Sequence, residues 1–196
     1  MVRILSGGAE GADIAFENEA LSKGHEAVSF SFKGHKTESR RVKLLSFEQL
    51  IKADSLLFLC AKKLNRTFPT KSDYVNNLLR RNFYQIASSQ CVVAIAGLEF
   101  NKKNVKGGTG WAVEMAKLFD ITLFLFDQEA CKWYSFTNEE GIEHWIEEET
   151  TPSLKHYKRV TGIGSRKLTD NGANSIKAVM STISDVKQTY QNRMEK

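Results

Sequence analysis

The sequence predicts an α/β fold, with a mostly parallel central sheet and helices on both of its faces. Short apolar runs alternate with helical patterns along the chain, as in proteins built from strand–helix units. Glycine-rich turns at residues 6–13, 107–110 and 162–166 each follow an apolar run and precede a helical pattern. The chain has 196 residues, of which 41% are hydrophobic, enough for one domain with a good core.

The first strand–helix unit occupies residues 2–32. Residues 2–5 form a short apolar run, and Ile14, Phe16 and Leu21 give residues 12–23 the apolar face of a helix. Gly24 is placed to end that helix as a C-cap residue. Residues 27–32 alternate between apolar and polar side chains, which indicates the next strand.

Residues 33–45 are polar, with the basic side chains Lys33, His35, Lys36, Arg40, Arg41 and Lys43. Two interpretations stay open for this stretch: a solvated surface loop, or a loop that reaches over a bound phosphate group. Ser46 is predicted to cap a helix that runs to residue 63. A turn at residues 69–73 starts another helix, residues 74–87, which leads into a buried strand at residues 91–97.

The second half repeats the alternation. A polar loop follows the buried strand, and a helix over residues 107–119 precedes an apolar strand at 121–126 that ends in Asp127 and Gln128. Residues 131–136 form a short aromatic strand, and residues 138–149 are acidic, partly helical surface. Thr169 or Asp170 caps a final helix that extends through Ile176 to Val186, and residues 190–196 are a frayed tail.

Composition limits the classes of function. No apolar run approaches the roughly 20 residues of a membrane span, and no signal peptide is evident, so we expect a cytoplasmic protein without membrane contact. We interpret Cys60, Cys91 and Cys131 as reduced core cysteines, because they are odd in number and far apart in apolar contexts. The four histidines lack metal-ligand spacing, so neither a metal nor a cofactor is expected. The net charge of +5 fits an anionic partner or solubility alone.

The glycine turns are the candidate functional elements. Glycine lets backbone N–H groups approach an anion closely, and a helix N-terminus adds partial positive charge. In parallel α/β sheets the turns after the strands meet at the carboxyl edge of the sheet. The sequence therefore predicts that turns around Gly8, Gly108 and Gly164 share one cleft and bind a phosphate-bearing molecule.

Three motifs carry a resemblance to a known family. The strings SGGAEGAD at residues 6–13, GIGSR at 162–166 and GGTG at 107–110 resemble the SLOG superfamily, which includes the Lonely Guy phosphoribohydrolases and DNA-processing protein A. The resemblance covers most of the chain except residues 33–70 and 127–157. It implies that residues 1–196 form a single nucleotide-binding domain, a Rossmann-like three-layer sandwich.

The order of the motifs departs from that family. In such proteins the strand that carries GIGSR comes first, whereas here its unit lies at residues 158–190. The chain therefore resembles a circular permutant, which compact domains tolerate because their termini often lie close together. We predict that residues 158–163 form a central strand, parallel to and beside residues 2–6, followed by a helix. The sequence also resembles phage-encoded members, which implies action in the host cytoplasm.

The resemblance implies a set of site residues. In the phosphoribohydrolases an arginine and a glutamate flank the N-glycosidic bond, and Arg81 and Glu114 stand at the matching offsets. Lys106 replaces that family's proline, and the order of threonine and glycine is altered, which puts the catalytic role in doubt. Glu114 as a dipole-stabilising residue, Arg81 as a surface charge and Asp13 as a helix cap are the structural alternatives. The predicted ligand contacts are Ser6, Gly7, Gly8, Glu10, Asp13, Arg81, Gly107, Gly108, Thr109, Gly110, Gly162, Gly164, Ser165 and Arg166.

Three functions remain open. The first is a protein that senses or sequesters a nucleotide signal, such as an ADP-ribose-like, cyclic or mononucleotide, which in a phage is an anti-defence role. The second is an N-glycosidase that cleaves a nucleoside 5′-monophosphate. The third, binding of single-stranded DNA, is less favoured because no stripe of basic and aromatic residues appears beyond residues 33–43. The resemblance also implies a homo-oligomer, a dimer or larger.

Overall fold

The computed structural model describes residues 1–101 and 103–184. Its described residues form an eight-stranded sheet with helices on both faces, which confirms the predicted α/β class and the Rossmann-like arrangement. The strands are β1 (Arg3–Ser6), β2 (Glu26–Phe32), β3 (Val42–Leu45), β4 (Cys91–Ala96), β5 (Thr122–Asp127), β6 (Lys132–Glu139), β7 (Ile142–Glu148) and β8 (Arg159–Gly164).

The helices connect the strands and cover the sheet. They are α1 (Ala12–Ser22), α2 (Phe47–Leu50), a 3-10 turn (Ile51–Ala53), α3 (Asp54–Leu64), α4 (Asp73–Ala87), α5 (Gly107–Leu118) and α6 (Asp170–Ser181). Among the residues that the structure describes, no helix is both long and apolar enough to cross a membrane.

The strand order is β3-β2-β1-β8-β4-β5-β6-β7. The strands from β3 to β5 in that order are mutually parallel, and the β6–β7 hairpin adds two antiparallel strands at one edge. β8 lies between β1 and β4, with Arg159 opposite Arg3 and Val160 opposite Cys91. The expected parallel pairing of residues 158–163 with residues 2–6 is therefore present.

The core has two layers, one on each side of the sheet. Val92 and Ala94 face the layer packed by α3, α4 and α5, while Val93 and Ile95 face the layer packed by α1 and α6. Successive residues of a strand point to opposite faces, so a strand that is buried on both sides consists of apolar residues throughout. The run CVVAIA of β4 meets this requirement, and all six of its residues are buried.

The structure corrects several predictions. Residues 42–45 of the predicted loop form the edge strand β3, in which Leu44 is 67% exposed. Residues 142–148, expected as partly helical, form β7, because pairing with β6 satisfies its backbone while its acidic side chains stay in solvent. The helix predicted over residues 46–63 is divided by the 3-10 turn. Cys131 is exposed rather than a core cysteine, since it lies in the turn after β5. Val186 and residues 190–196 lie outside the described residues.

Candidate functional site

The carboxyl ends of β1, β8 and β4 open onto a cleft of about 380 Å³. Three segments that are distant in the sequence border this cleft. Ala9 belongs to the first glycine turn, Gly107 and Gly108 begin α5, and Gly164 begins the turn after β8. The rest of the lining comes mainly from α4 and the ends of β4 and β5: Asp13, Val75, Leu78, Leu79, Arg81, Asn82, Ala96, Gly97, Lys106, Thr109, Gln128, Glu129, Ile163, Ser165 and Arg166.

The first glycine turn is held by its own side chains. The Gly7 amide donates to Asp13 Oδ2 at 3.0 Å, and the Gly8 amide donates to Ser6 Oγ at 2.9 Å. Gly8 has φ +62°, a left-handed conformation that glycine adopts without steric cost. The Ser6 hydroxyl in turn donates to the buried carboxylate of Glu17. Ser6, Gly7 and Gly8 therefore support the wall of the cleft from behind rather than lining it.

Arg81 extends from α4 beneath this turn. A Cβ atom at Gly7 would lie 1.1 Å from Arg81 Nη1, so the guanidinium occupies the space that glycine leaves open. The Arg81 side chain is 6% exposed, and its Nη1 lies 3.6 Å from Asp13 Oδ2. Among the described residues, neither Nε nor Nη1 of Arg81 has a hydrogen-bond partner. Arg81 thus lines the cleft as a buried cation, two of whose three guanidinium nitrogens make no hydrogen bond to a described residue.

The electrostatics of the Arg81–Asp13 pair indicate an incompletely compensated charge. Burial raises the pKa of Asp13 above its ordinary 3.8, against the opposing effects of Arg81 and of the Gly164 and Gly7 amides. Burial also lowers the pKa of Arg81, against the opposing effect of Asp13. For both groups the loss of hydration outweighs their mutual attraction. An additional anion beside Arg81 would therefore stabilise the buried guanidinium.

The N-terminus of α5 supplies further donors. Ser46, Ser72 and Thr169 cap α2, α4 and α6 with side-chain oxygens, whereas the N-cap residue of α5, Lys106, makes no side-chain cap hydrogen bond. The amides of a helix's first turn have no partner within the helix. Gly107, Gly108 and Thr109 of this turn line the cleft, and at Gly108 no atom lies within 4 Å of where a Cβ would be, so there is room for an anion beside this helix N-terminus.

The third turn connects the cleft walls. The Gly164 amide donates to Asp13 Oδ1 at 3.2 Å, and the Ser165 carbonyl accepts from the Ala12 amide at 3.2 Å. A Cβ at Gly164 would lie 2.3 Å from the Ile95 carbonyl, so only glycine allows β8 to pass this close to β4. Arg166 follows as an exposed side chain that lines the cleft.

Several lining residues were not among the predicted ligand contacts. Asn82 is 5% exposed and accepts a hydrogen bond from Gln85 Nε2 at 3.3 Å. It lies on the same helix face as Val75 and Leu78, and this i, i+3, i+4 spacing on α4 is the signal that could have identified it. Gln128 stands at the end of β5, where the position alone suggested ligand contact, and it bonds to Thr169 and Lys167.

Other predicted residues do not line the cleft. Glu10 is exposed on the outside of its turn. Gly110 and Gly162 are packing glycines, since a Cβ would lie 2.1 Å from the Val105 carbonyl in the first case and 2.3 Å from the Phe16 ring in the second. Their glycine identity is explained by the fold itself.

Glu114 faces away from the cleft. Its carboxylate lies 3.4 Å from Lys63 Nζ of α3 and 3.5 Å from Lys117 Nζ, and both lysines also pair with Glu143 of β7. Glu114 is six residues after Gly108, which places it about 9 Å further along the helix on another face. The structure therefore does not bring Glu114 and Arg81 together around a common ligand position.

The loop at residues 33–41, which carries several basic side chains, packs beside the cleft. Thr37 Oγ1 donates to the Gly8 carbonyl at 2.8 Å, and Ser39 Oγ donates to Glu17 Oε2 at 2.6 Å. His35 stacks on Phe32, with 5.0 Å between the ring centroids. Burial, followed by the charges of Arg81 and Arg166, lowers the pKa of His35 to about 4. The loop thus contacts the first glycine turn and lies near both arginines without lining the cleft.

Comparisons with known proteins extend the fold assignment. A scan against protein-family models and a search of curated proteins gave no match. The chain is similar to the crystal structure of a "Putative molybdenum carrier protein" from Syntrophus aciditrophicus SB, with a TM-score of 0.53 and 14% sequence identity. The match covers 93% of this chain and 94% of that one. At this level of identity the two chains share a fold.

Proposed function

We propose that this protein binds a nucleotide-type ligand in the cleft, with a phosphate group at Arg81 and the first turn of α5. The observation that carries the proposal is the buried Arg81 guanidinium, which lines the cleft and whose Nε and Nη1 have no hydrogen-bond partner among the described residues, although Nη1 lies 3.6 Å from Asp13 Oδ2. Charge-assisted hydrogen bonds from such a group to phosphate are about twice as strong as neutral ones. The first turn of α5, whose residues Gly107 and Gly108 line the cleft, would add backbone donors of the kind that bind phosphate at helix N-termini.

The remaining lining suits the organic part of a nucleotide. Val75, Leu78 and Leu79 of α4 form an apolar wall, on which a base or ribose would bury apolar surface. Asn82 and Gln128 supply polar groups that could orient such a ligand. The volume of about 380 Å³ lies in the range of roughly 300–1,000 Å³ that is usual for small-molecule sites.

We further propose that the chain is a circularly permuted member of the SLOG superfamily that senses or sequesters its ligand. Binding is favoured over hydrolysis because Glu114, the carboxylate expected to act with Arg81, is engaged with Lys63 and Lys117. The resemblance to phage-encoded members favours sequestration of a host nucleotide signal, an anti-defence role. Cleavage of a nucleoside 5′-monophosphate at its N-glycosidic bond is the alternative.

The similar crystal structure suggests a second ligand class. Its name refers to molybdenum, and an oxyanion such as molybdate would use the same donors around Arg81 as a phosphate group. The apolar wall of α4 would have no role for such a ligand, so we favour the nucleotide. Molybdate is nevertheless included in the test below.

Calorimetric titration with AMP, cyclic AMP, ADP-ribose, inorganic phosphate and molybdate tests the proposal. We expect a nucleotide to bind and to be recovered intact by chromatography after denaturation. Arg81→Gln should weaken binding by about 10- to 100-fold, because it removes a buried charged donor. The neighbouring Arg80→Gln is the matched control, since Arg80 pairs with Asp54 and does not line the cleft.

The other outcomes discriminate among the candidates. Release of free base would establish hydrolysis, and loss of that release in Glu114→Ala would assign the carboxylate a part in it. If molybdate binds and no nucleotide does, the ligand of the cleft is an oxyanion and not a nucleotide. Equal affinities for Arg81→Gln and Arg80→Gln, with both variants folded, would overturn the site.

A further inference from the structure

A second arginine stands at the mouth of the cleft. Arg166 lines the same cavity as Arg81 but is exposed, and it forms no ion pair with a carboxylate of any described residue. Its backbone is fixed, because a Cβ at Gly11 would lie 2.5 Å from the Arg166 carbonyl, which leaves the turn tightly packed on the start of α1. An exposed side chain is thus carried on a tightly packed backbone at the entrance.

The two arginines are close enough to influence the same groups. The charge of Arg166 acts on Arg81, and both charges act on His35. Asp13 is the carboxylate that pairs with Arg81, and both of its oxygens also accept backbone hydrogen bonds. Arg166 has no comparable partner. The repulsion between the two arginines is therefore offset only at Arg81, by Asp13.

Further unpaired cations lie in the segments next to Arg166 and to the first glycine turn. The loop bound to Gly8 through Thr37 carries exposed cations on one side of the first glycine turn, and Arg166 and Lys167 follow on the other. Lys106, another cation of the lining, pairs with Glu129, which lines the cleft as well. Within the described residues, Arg166, Lys167 and the exposed loop cations Lys33, Lys36, Arg40 and Arg41 form no ion pair.

We propose that the cleft selects a nucleotide with two linked phosphoryl groups, the inner one held by Arg81 and α5 and the outer one by Arg166. This inference rests on the proposed function and narrows its ligand class from nucleotides in general to nucleoside diphosphates and their derivatives. A single phosphate at Arg81 leaves Arg166 uncompensated, whereas a linked second phosphate reaches the mouth without leaving the inner donors.

Matched pairs of ligands test the second position. AMP with ADP, GMP with GDP, CMP with CDP and UMP with UDP differ within each pair by one phosphate, and all are titrated at one fixed ionic strength because salt screens exposed charges. We expect the diphosphate of the preferred base to bind about 10-fold or more tightly than its monophosphate. Arg166→Gln should bring this ratio close to 1, because it should weaken binding of the diphosphate much more than binding of the monophosphate.

Lys158→Gln is the control variant, because Lys158 is an exposed cation just before β8, at the opposite end of the sheet. Its ratio of diphosphate to monophosphate affinity should equal that of the wild type. An equal loss of the ratio in both variants would attribute the effect to net charge and overturn the assignment to Arg166. A diphosphate advantage that survives in Arg166→Gln would overturn it as well.

The outcome separates this inference from the proposed function. If monophosphates bind at the cleft and diphosphates bind no more tightly, the second phosphate position at Arg166 is wrong, while the proposed nucleotide site is still supported. If neither class binds, the proposed function fails and the second position fails with it.

Discussion

At the residue scale, the glycines of the site divide into two groups with different causes. At Gly7 and Gly164 a side chain would collide with Arg81 or with the Ile95 carbonyl, so the fold itself requires glycine. At Gly108 the space is empty and the residue lies in the first turn of a helix, where glycine is not a favoured choice. Gly108, whose glycine identity packing does not explain, is thus the residue that borders the proposed phosphate position.

Gly108→Ala should separate stability from binding. Alanine removes backbone freedom from the unfolded chain, so we expect the free energy of unfolding to stay the same or rise by up to about 1 kcal/mol. The added methyl group projects into open space at the cleft, and ligand affinity should fall by about 10-fold or more if a phosphate lies against this turn. Denaturant unfolding and calorimetric titration of the same samples measure the two effects. Unchanged affinity would remove α5 from the site.

His35 should make stability depend on pH. Its pKa is about 4 in the folded protein against an ordinary 6.5, so the unfolded chain takes up the proton first as the pH falls. The stability that the neutral ring contributes is present above pH 6.5 and is lost as the pH falls toward 4. Urea unfolding of wild type and His35→Gln across this range should show a larger loss for the wild type. Parallel curves would show that His35 is not shielded as described.

At the scale of elements, the β6–β7 hairpin is held against the helical layer by a group of paired charges, of which Lys117 and Glu114 are buried. Lys117 is 4% exposed, pairs with Glu114 and Glu143, and lies 4.7 Å from the centroid of the Phe136 ring. Breaking such a group leaves a buried charge without its partner, which is costly. The role of Glu114 is therefore to hold α5 against α3 and the hairpin.

Glu114→Gln should lower the free energy of unfolding by about 1–3 kcal/mol and leave ligand binding unchanged. Glu147→Gln is the matched control, because Glu147 pairs with Lys132 in the same hairpin but both side chains are about half exposed. A change within about 0.5 kcal/mol is expected for that control. Thermal and urea unfolding check the stability, and loss of affinity in Glu114→Gln alone would return Glu114 to the site.

The elements that could be predicted from sequence are those in which close packing requires a recognisable run of apolar residues or glycines. β4 and β5 are apolar because helices cover both faces, and the turns after β1 and β8 are rich in glycine because their backbones pass close to neighbours. β3 and β7 left no such pattern, since edge strands are stabilised by backbone pairing while many of their side chains remain in solvent. β3 and β7 form because they pair with β2 and β6, and the local sequence does not reveal this pairing.

The candidate site was predictable only in part for a similar reason. The glycine turns identify the carboxyl ends of β1 and β8 and the start of α5, so Gly107, Gly108 and Gly164 could be placed from sequence. The direction in which Glu114 points depends on how α5 is rotated against α3 and the hairpin. Asn82 faces the cleft because of the rotation of α4, which three-dimensional packing sets.

At the scale of the whole molecule, a strand from late in the sequence lies in the middle of the sheet and joins its two halves. β8 separates β1 from β4, so the strands before it form two groups that are not hydrogen-bonded to each other within the sheet. The turn after β8 also supplies Gly164, Ser165 and Arg166 to the cleft. One segment therefore completes both the architecture and the proposed site.

The position of β8 has a consequence for biosynthesis. While the ribosome is still adding residues before 159, β1 and β4 each expose an unpaired edge, and the nascent polypeptide has no finished cleft. Domains generally fold as units during translation, and this sheet becomes continuous only when β8 emerges. A newly made molecule therefore acquires its cleft in one late step, so partly synthesised chains should neither capture nor deplete the ligand.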